Sequence, residues 1–187
     1  MTRLQPAAAK IFVTGDPGCG KTTAVRRVVE RLALLPMTGF LTEEVRENGA
    51  RTGFRGVTLD GKVFTLARAE AAGDFRVGPY GVMLGELEAV GVPALRPGPD
   101  TRLVVLDEVG KMEAFSAPFR EAVMDLLAGP VPVLGTVAVH GVGFVKKVRH
   151  DPRITLVRMT RASREAIVGD LLRRLKDVGA AQREERA

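Results

Sequence analysis

Gly15-Asp16-Pro17-Gly18-Cys19-Gly20-Lys21-Thr22 follows an apolar run, Lys10-Ile11-Phe12-Val13-Thr14, and opens into a helical pattern. The spacing fits G-x-x-x-x-G-K-[ST], a loop that holds the phosphates of a nucleotide. Its residue types follow from that task. Glycines let the backbone turn tightly with several N–H groups pointing inward, and the helix N-terminus behind them adds partial positive charge. Lys21 can reach the β- and γ-phosphates, the Thr22 hydroxyl can ligate Mg²⁺, and Thr23 continues the polar start of the helix. Phosphate contacts are therefore expected from Gly15, Asp16, Pro17, Gly18, Cys19, Gly20, Lys21, Thr22 and Thr23.

Outward from the loop, Ala24, Val25, Val28, Val29, Leu32 and Leu35 recur at helical spacing, which predicts a helix from Lys21 to Leu35 ended by Pro36. Residues 38–67 read as a small antiparallel meander, turning at Asn48-Gly49 and again at Asp60-Gly61. Its Glu43, Glu44, Arg46, Arg51 and Arg55 either reach over a bound nucleotide or face solvent. Residues 68–100 are the least regular. They offer a short extended piece at 77–82, a helical turn or two from Met83 to Val90, and loop around Pro93, Pro97, Gly98 and Pro99.

Arg102-Leu103-Val104-Val105-Leu106-Asp107-Glu108 is an unbroken apolar run ending in two acids, as in a strand covered on both faces. Ser116 is placed to cap a helix carrying Phe119, Ala122, Val123, Leu126 and Leu127, which stops at Gly129-Pro130. A second buried strand spans 131–138 and brings Thr136 near its carboxyl end. A short basic helix around Phe144–Val148, a strand over 153–159 and a helix beginning at Thr160 or Ser163 with Gly179 as its cap complete the pattern. The alternation predicts an α/β three-layer sandwich with a mostly parallel sheet, an antiparallel hairpin insertion over about residues 38–67 and one domain over residues 1–187. Residues 180–187 read as a short charged tail.

With 187 residues, 45% hydrophobic and 27% charged, the chain has ordinary globular composition. No apolar run is long enough for a membrane span, and the first nine residues lack the apolar core of a signal peptide, so a cytoplasmic protein is expected. Cys19 is the only cysteine, which excludes an internal disulfide and a cysteine-based zinc cluster. A net charge of +6 suits a binder of polyanionic nucleotides. Nucleic acid is permitted but not indicated, because the basic residues are scattered and only one Tyr and no Trp are present for base stacking. Arginine dominates lysine, and Asn48, Gln5 and Gln182 are the only side-chain amides. A hot habitat or a GC-rich genome gives that bias equally.

Mg²⁺ on a nucleotide needs a carboxylate opposite the phosphate loop, and Asp107 at a strand's end fits that role. Glu108 beside it can orient and deprotonate an attacking water, which favours hydrolysis over phosphoryl transfer to an acceptor. Lys111 can neutralise charge developing at the γ-phosphate, or can be a surface lysine closing a turn. The guanine-reading N-K-x-D motif is absent, since the sole asparagine precedes Gly49.

The loop, the Gly39-Phe40-Leu41-Thr42-Glu43-Glu44-Val45-Arg46 segment with Gly49, Arg51, Gly53 and Phe54, and the string Asp107-Glu108-Val109-Gly110-Lys111-Met112-Glu113 together resemble the THEP-type nucleoside-triphosphatases. The resemblance covers about residues 10–175 and implies a P-loop α/β fold related to nucleotide kinases. It also implies Mg²⁺-dependent hydrolysis of ATP, GTP and other NTPs (CTP and UTP included) with little base selectivity. That family carries an Asn-Arg pair before its last helix; Ser163-Arg164 stands here, with Arg164 bordering the base. Two other readings stay open. One is a nucleotide or nucleic-acid kinase with an acceptor clamped by Arg158, Arg161 and Arg164; the other is a nucleotide-dependent switch. As a hydrolase the chain is expected to be slow and monomeric.

Overall fold

The computed structural model describes residues 8–184, with side chains described as far as Leu175. The N-terminal reading on residues 1–7 and the last three residues of the charged tail lie outside these. A nine-stranded sheet runs in the order β5-β6-β4-β3-β2-β7-β8-β1-β9. Strands β1 (Lys10–Thr14), β2 (Met37–Glu47), β7 (Leu103–Val109), β8 (Val133–Val137) and β9 (Thr155–Arg158) form its parallel part. Strands β3 (Ala50–Thr58), β4 (Val63–Ala69), β6 (Tyr80–Val82) and β5 (Arg76–Val77) extend it in antiparallel fashion.

Side chains alternate across the strands and feed two cores. Phe12, Phe40, Leu106 and Val133 point to one face, against α4 (Ala117–Ala128), α5 (Gly143–Arg149) and a π-helical turn, Leu87–Gly91. Ile11, Val13, Leu41, Val105 and Leu134 point to the other, against α1 (Lys21–Arg31) and α6 (Arg164–Glu184). The three layers and the parallel part of the sheet are those the apolar runs predict. Ser116 caps α4 as expected, its Oγ accepting from the Phe119 N–H at 3.1 Å.

Four boundaries differ from the sequence reading, each for a local reason. The helix after the loop ends at Arg31: Leu32 leaves the helical region, its N–H closing on the Val28 and Val29 carbonyls, and the Leu35 N–H bonds the Leu32 carbonyl in a tight turn that leads through Pro36 into β2. The antiparallel insertion is present but begins inside a core strand. Its first strand, β2, pairs in parallel with β7 through Met37–Phe40 and only then continues as the antiparallel partner of β3. The stretch read as loop beyond Val90 stays helical: α2 (Leu84–Glu86), the π turn and α3 (Val92–Ala94) follow one another, and the widened π turn stands directly before Pro93, which has no N–H to donate to the preceding turn. Finally, α6 passes through Gly179 to Glu184 instead of capping there.

The β2–β7 pairing depends on Gly39, which has φ 117°. A Cβ at this position would stand 1.8 Å from the Val105 carbonyl oxygen, a backbone atom that cannot move aside. Gly39→Ala is therefore expected to cost about 3 kcal/mol or more, lowering Tm by roughly 6–12 °C. Thermal unfolding checks this; a Tm within 2 °C or so of the parent would show that the strand pair can relax around the methyl group.

Candidate functional site

The loop between β1 and α1 takes the shape its glycines predict. Gly18 and Gly20 hold positive φ, 72° and 99°, and a Cβ on Gly15 would meet the Met159 carbonyl oxygen at 2.3 Å. The Cys19 N–H donates to the Asp16 carbonyl at 3.1 Å and the Ala24 N–H to Gly20 at 2.9 Å, so bend and helix are joined. Asp16, Pro17, Gly18 and Thr23 are exposed, Thr22 is half-buried, and Cys19 is buried as a small core residue.

Strand β8 separates the loop strand from the strand that carries the acids, yet the two halves meet. Lys21 Nζ donates to the Gly15 carbonyl at 3.2 Å and lies 3.4 Å from Glu108 Oε2. Asp107 is fully buried. Its Oδ1 accepts from Thr136 Oγ1 at 2.6 Å, its Oδ2 from the Thr42 N–H at 3.3 Å, and its backbone carbonyl from the Thr42 hydroxyl. Burial pushes the Asp107 carboxyl above its ordinary range, while Thr136, Thr22 and Thr42 pull it back by donating hydrogen bonds to the charged form. Burial likewise raises Glu108; Lys21 opposes that and the neighbouring Asp107 charge adds to it.

Asp107 and the Thr22 hydroxyl form a hard oxygen pair that could hold a divalent ion. Among the described residues no group of three or more His, Cys, Asp or Glu side chains could do so alone. Mg²⁺ suits such a pair, because it keeps several waters and draws its other ligands from substrate phosphates.

The remaining predicted residues are placed as follows. Lys111 is exposed on the turn after β7, three residues beyond the Lys21 partner. Arg164, at the start of α6, lies against Gly20: a Cβ there would stand 3.0 Å from Nη1 and 3.1 Å from Cδ. Its Nε is buried without a hydrogen-bond acceptor. Arg161 reaches the neighbourhood of Gly18. Arg158 is exposed at the end of β9.

Sequence reasoning missed three elements. Thr42 was read as part of a hairpin, because its bond to Asp107 exists only if β2 lies beside β7. Thr136 was located at a strand's end but not paired with Asp107, since pairing needs the strand order. Glu113 was only a letter in a motif. It is buried, with Oε2 accepting the Gly110 N–H at 3.1 Å, and so fixes the turn that carries Lys111. Burial first, and then the Glu108 charge, push its carboxyl from 4.5 up to about 8.

A glycine-rich loop whose lysine touches the acids at the end of a parallel strand defines a P-loop nucleoside-triphosphatase. The NTPase family profile matches residues 10–172. The nucleoside-triphosphatase THEP1 of Thermotoga sp. (strain RQ2) is 38% identical over 168 residues, covering 89% of this chain and 95% of that one. The human cancer-related nucleoside-triphosphatase is 36% identical over 181 residues, covering 88% and 95%. The crystal structure of THEP1 from Aquifex aeolicus superposes with a TM-score of 0.81 at 38% identity, over 89% of this chain and 98% of that one. The chain belongs to this THEP-type NTPase family, and with it to the nucleoside-triphosphate phosphohydrolases.

Glu113 gives a pH dependence that can be measured. Between pH 4.5 and about 8 the folded state keeps a proton that the unfolded chain has released. Stability therefore falls as pH rises through that window, by at most about 1.4 kcal/mol per pH unit. Glu113→Gln stays neutral and keeps an acceptor for Gly110, so its stability should fall less between pH 5 and 8. Denaturant unfolding at several pH values checks this; parallel curves for the two proteins would contradict it.

Proposed function

We propose that the chain hydrolyses ATP, GTP, CTP and UTP to the diphosphate and phosphate with Mg²⁺, slowly and with little regard to the base. The observation that carries this reading is the 3.4 Å approach of Lys21 Nζ to Glu108 Oε2, which joins loop and acids in one site. In this reading the loop N–H groups and Lys21 bind the phosphates, and Lys21 exchanges Glu108 for phosphate oxygens when substrate enters. Thr22 and Asp107 hold Mg²⁺, which supplies charge neutralisation on the phosphate oxygens. Glu108 orients the attacking water and accepts its proton. Arg164 borders the base; a guanidinium plane stacks on any base, which agrees with loose selectivity. Lys111, exposed on the turn fixed by Glu113, adds positive charge near the mouth of the site.

Unless a partner protein contributes an arginine, intrinsic turnover stays below about one per second. Phosphate release from the four NTPs, with Mg²⁺ and with EDTA, tests the proposal. Comparable rates across bases, lost on chelation, are expected; label moving to an added nucleoside or RNA end would identify a transferase instead. Glu108→Gln should leave nucleotide affinity nearly unchanged and lower kcat by about 10²–10⁴. Lys21→Ala should weaken nucleotide binding itself, as titration with a fluorescent nucleotide would read.

A further inference from the structure

Beyond Phe40, β2 leaves β7 and rises with β3 as a wall beside the site, and one spot on that wall carries excess positive charge. Glu43 on β2 and Arg55 on β3 stand directly opposite in register. They lie two residues from Leu41 and Val57, another opposed pair, and Leu41 packs in the core that contains α1, so Glu43 and Arg55 face α1. Glu43 Oε1 accepts from Arg26 Nη2 at 2.8 Å, and Oε2 accepts from Arg55 Nε at 2.9 Å, with Arg55 Nη2 2.8 Å away in the same ion pair. One carboxylate is shared by two guanidinia, so one positive charge is left in excess, and the hydrogen bonds from Arg26 and then Arg55 hold the carboxyl below its usual range.

The cluster sits close to the reacting centre. Arg26 lies one helical turn after Thr22 on the same face of α1, and helical side chains lean back toward the N-terminus, here toward the phosphate loop. Glu43 directly follows Thr42, whose N–H and hydroxyl both bind Asp107. No catalytic step described so far uses this charge.

We infer that Arg55 is a catalytic residue: on triphosphate binding its guanidinium leaves Glu43 and bonds the γ-phosphate oxygens. This rests on the hydrolase reading above. In the step it assists, the water oxygen forms a bond to the γ-phosphorus as the bond from phosphorus to the β–γ bridging oxygen breaks. The electron pair departs with the diphosphate, and the water proton passes to Glu108. Negative charge on the oxygens of the transferring group is what an arginine offsets. Arg55 is the more exposed of the two arginines, 51% against 40% for Arg26. It is half-exposed, and an exposed ion pair is easily exchanged. Arg26 stays behind to neutralise Glu43, so no carboxylate is stranded.

The experiment uses the purified full chain with ATP. Arg55→Ala should lower kcat by about 10²–10³ while KM changes less than about threefold, because the contact exists mainly in the transition state. Free guanidinium ion should restore part of the loss, which a merely structural role would not allow. ADP with aluminium fluoride should bind the parent protein more tightly than ADP alone, and Arg55→Ala should lose that gain. Arg68→Ala, an exposed arginine of β4, is the control and should keep the parent rate. Parent-like turnover in Arg55→Ala, or a loss that guanidinium fails to restore and Arg68→Ala shares, overturns the inference while leaving the hydrolase reading standing. A parent protein that releases no phosphate overturns both.

Discussion

A carboxylate with no exposure to water is costly to keep ionised, and Asp107 is such a group. What holds it is a pair of donors from the two flanking strands, Thr136 on β8 and Thr42 on β2, with Thr22 on α1 also favouring its charged form. Each donor depends on a different feature of the fold. Thr136 reaches Asp107 only because β8 is inserted between the loop strand and the acid strand. Thr42 does so only because β2 flanks β7 on its other side. Thr22 acts on Asp107 only because the glycine loop brings the start of α1 over the carboxyl ends of the strands. Remove any one of these arrangements and the site keeps a buried charge with too few partners.

The inserted strand also sets a distance problem. Neighbouring strands stand about 4.8 Å apart, so two gaps, about 10 Å, separate the loop strand from the acids. The backbone does not span them; the long side chains of Lys21 and Glu108 do, meeting at 3.4 Å. Small residues let the layers come together beneath. Gly135 on β8 leaves room for the Phe12 ring, which a Cβ would meet at 2.6 Å, and Gly39 lets β2 lie against Val105. Glycines here act in the sheet as well as in the phosphate loop.

The parallel core and the phosphate loop were legible because their signals are local: an apolar run, a glycine spacing, a helical stripe. Asp107 and Glu108 were legible because chemistry demands acids at a strand's end. The π turn before Pro93 was not, since a proline after an irregular stretch reads as loop unless the preceding turn is known to be widened. The partners of Asp107 were hidden for a different reason. Thr42 and Thr136 are ordinary strand residues by themselves, and only the strand order makes them neighbours of the same carboxylate. Glu113 looked like one more charged residue after a motif, and nothing in periodicity separates a buried glutamate on a short 3₁₀ turn from a solvated one.

β2 is shared. Its lower half belongs to the parallel core and its upper half to the arginine-bearing wall, with eight register pairs tying that upper half and its approach to β3. Thr42, anchored to Asp107, stands where the two halves join. A wall continuous with the sheet in this way has no hinge on which to swing as a lid. In the proposed hydrolase, grip on a substrate would then come from side chains turning on a fixed frame, with the exchange of ion pairs, not the closing of a domain, setting its speed.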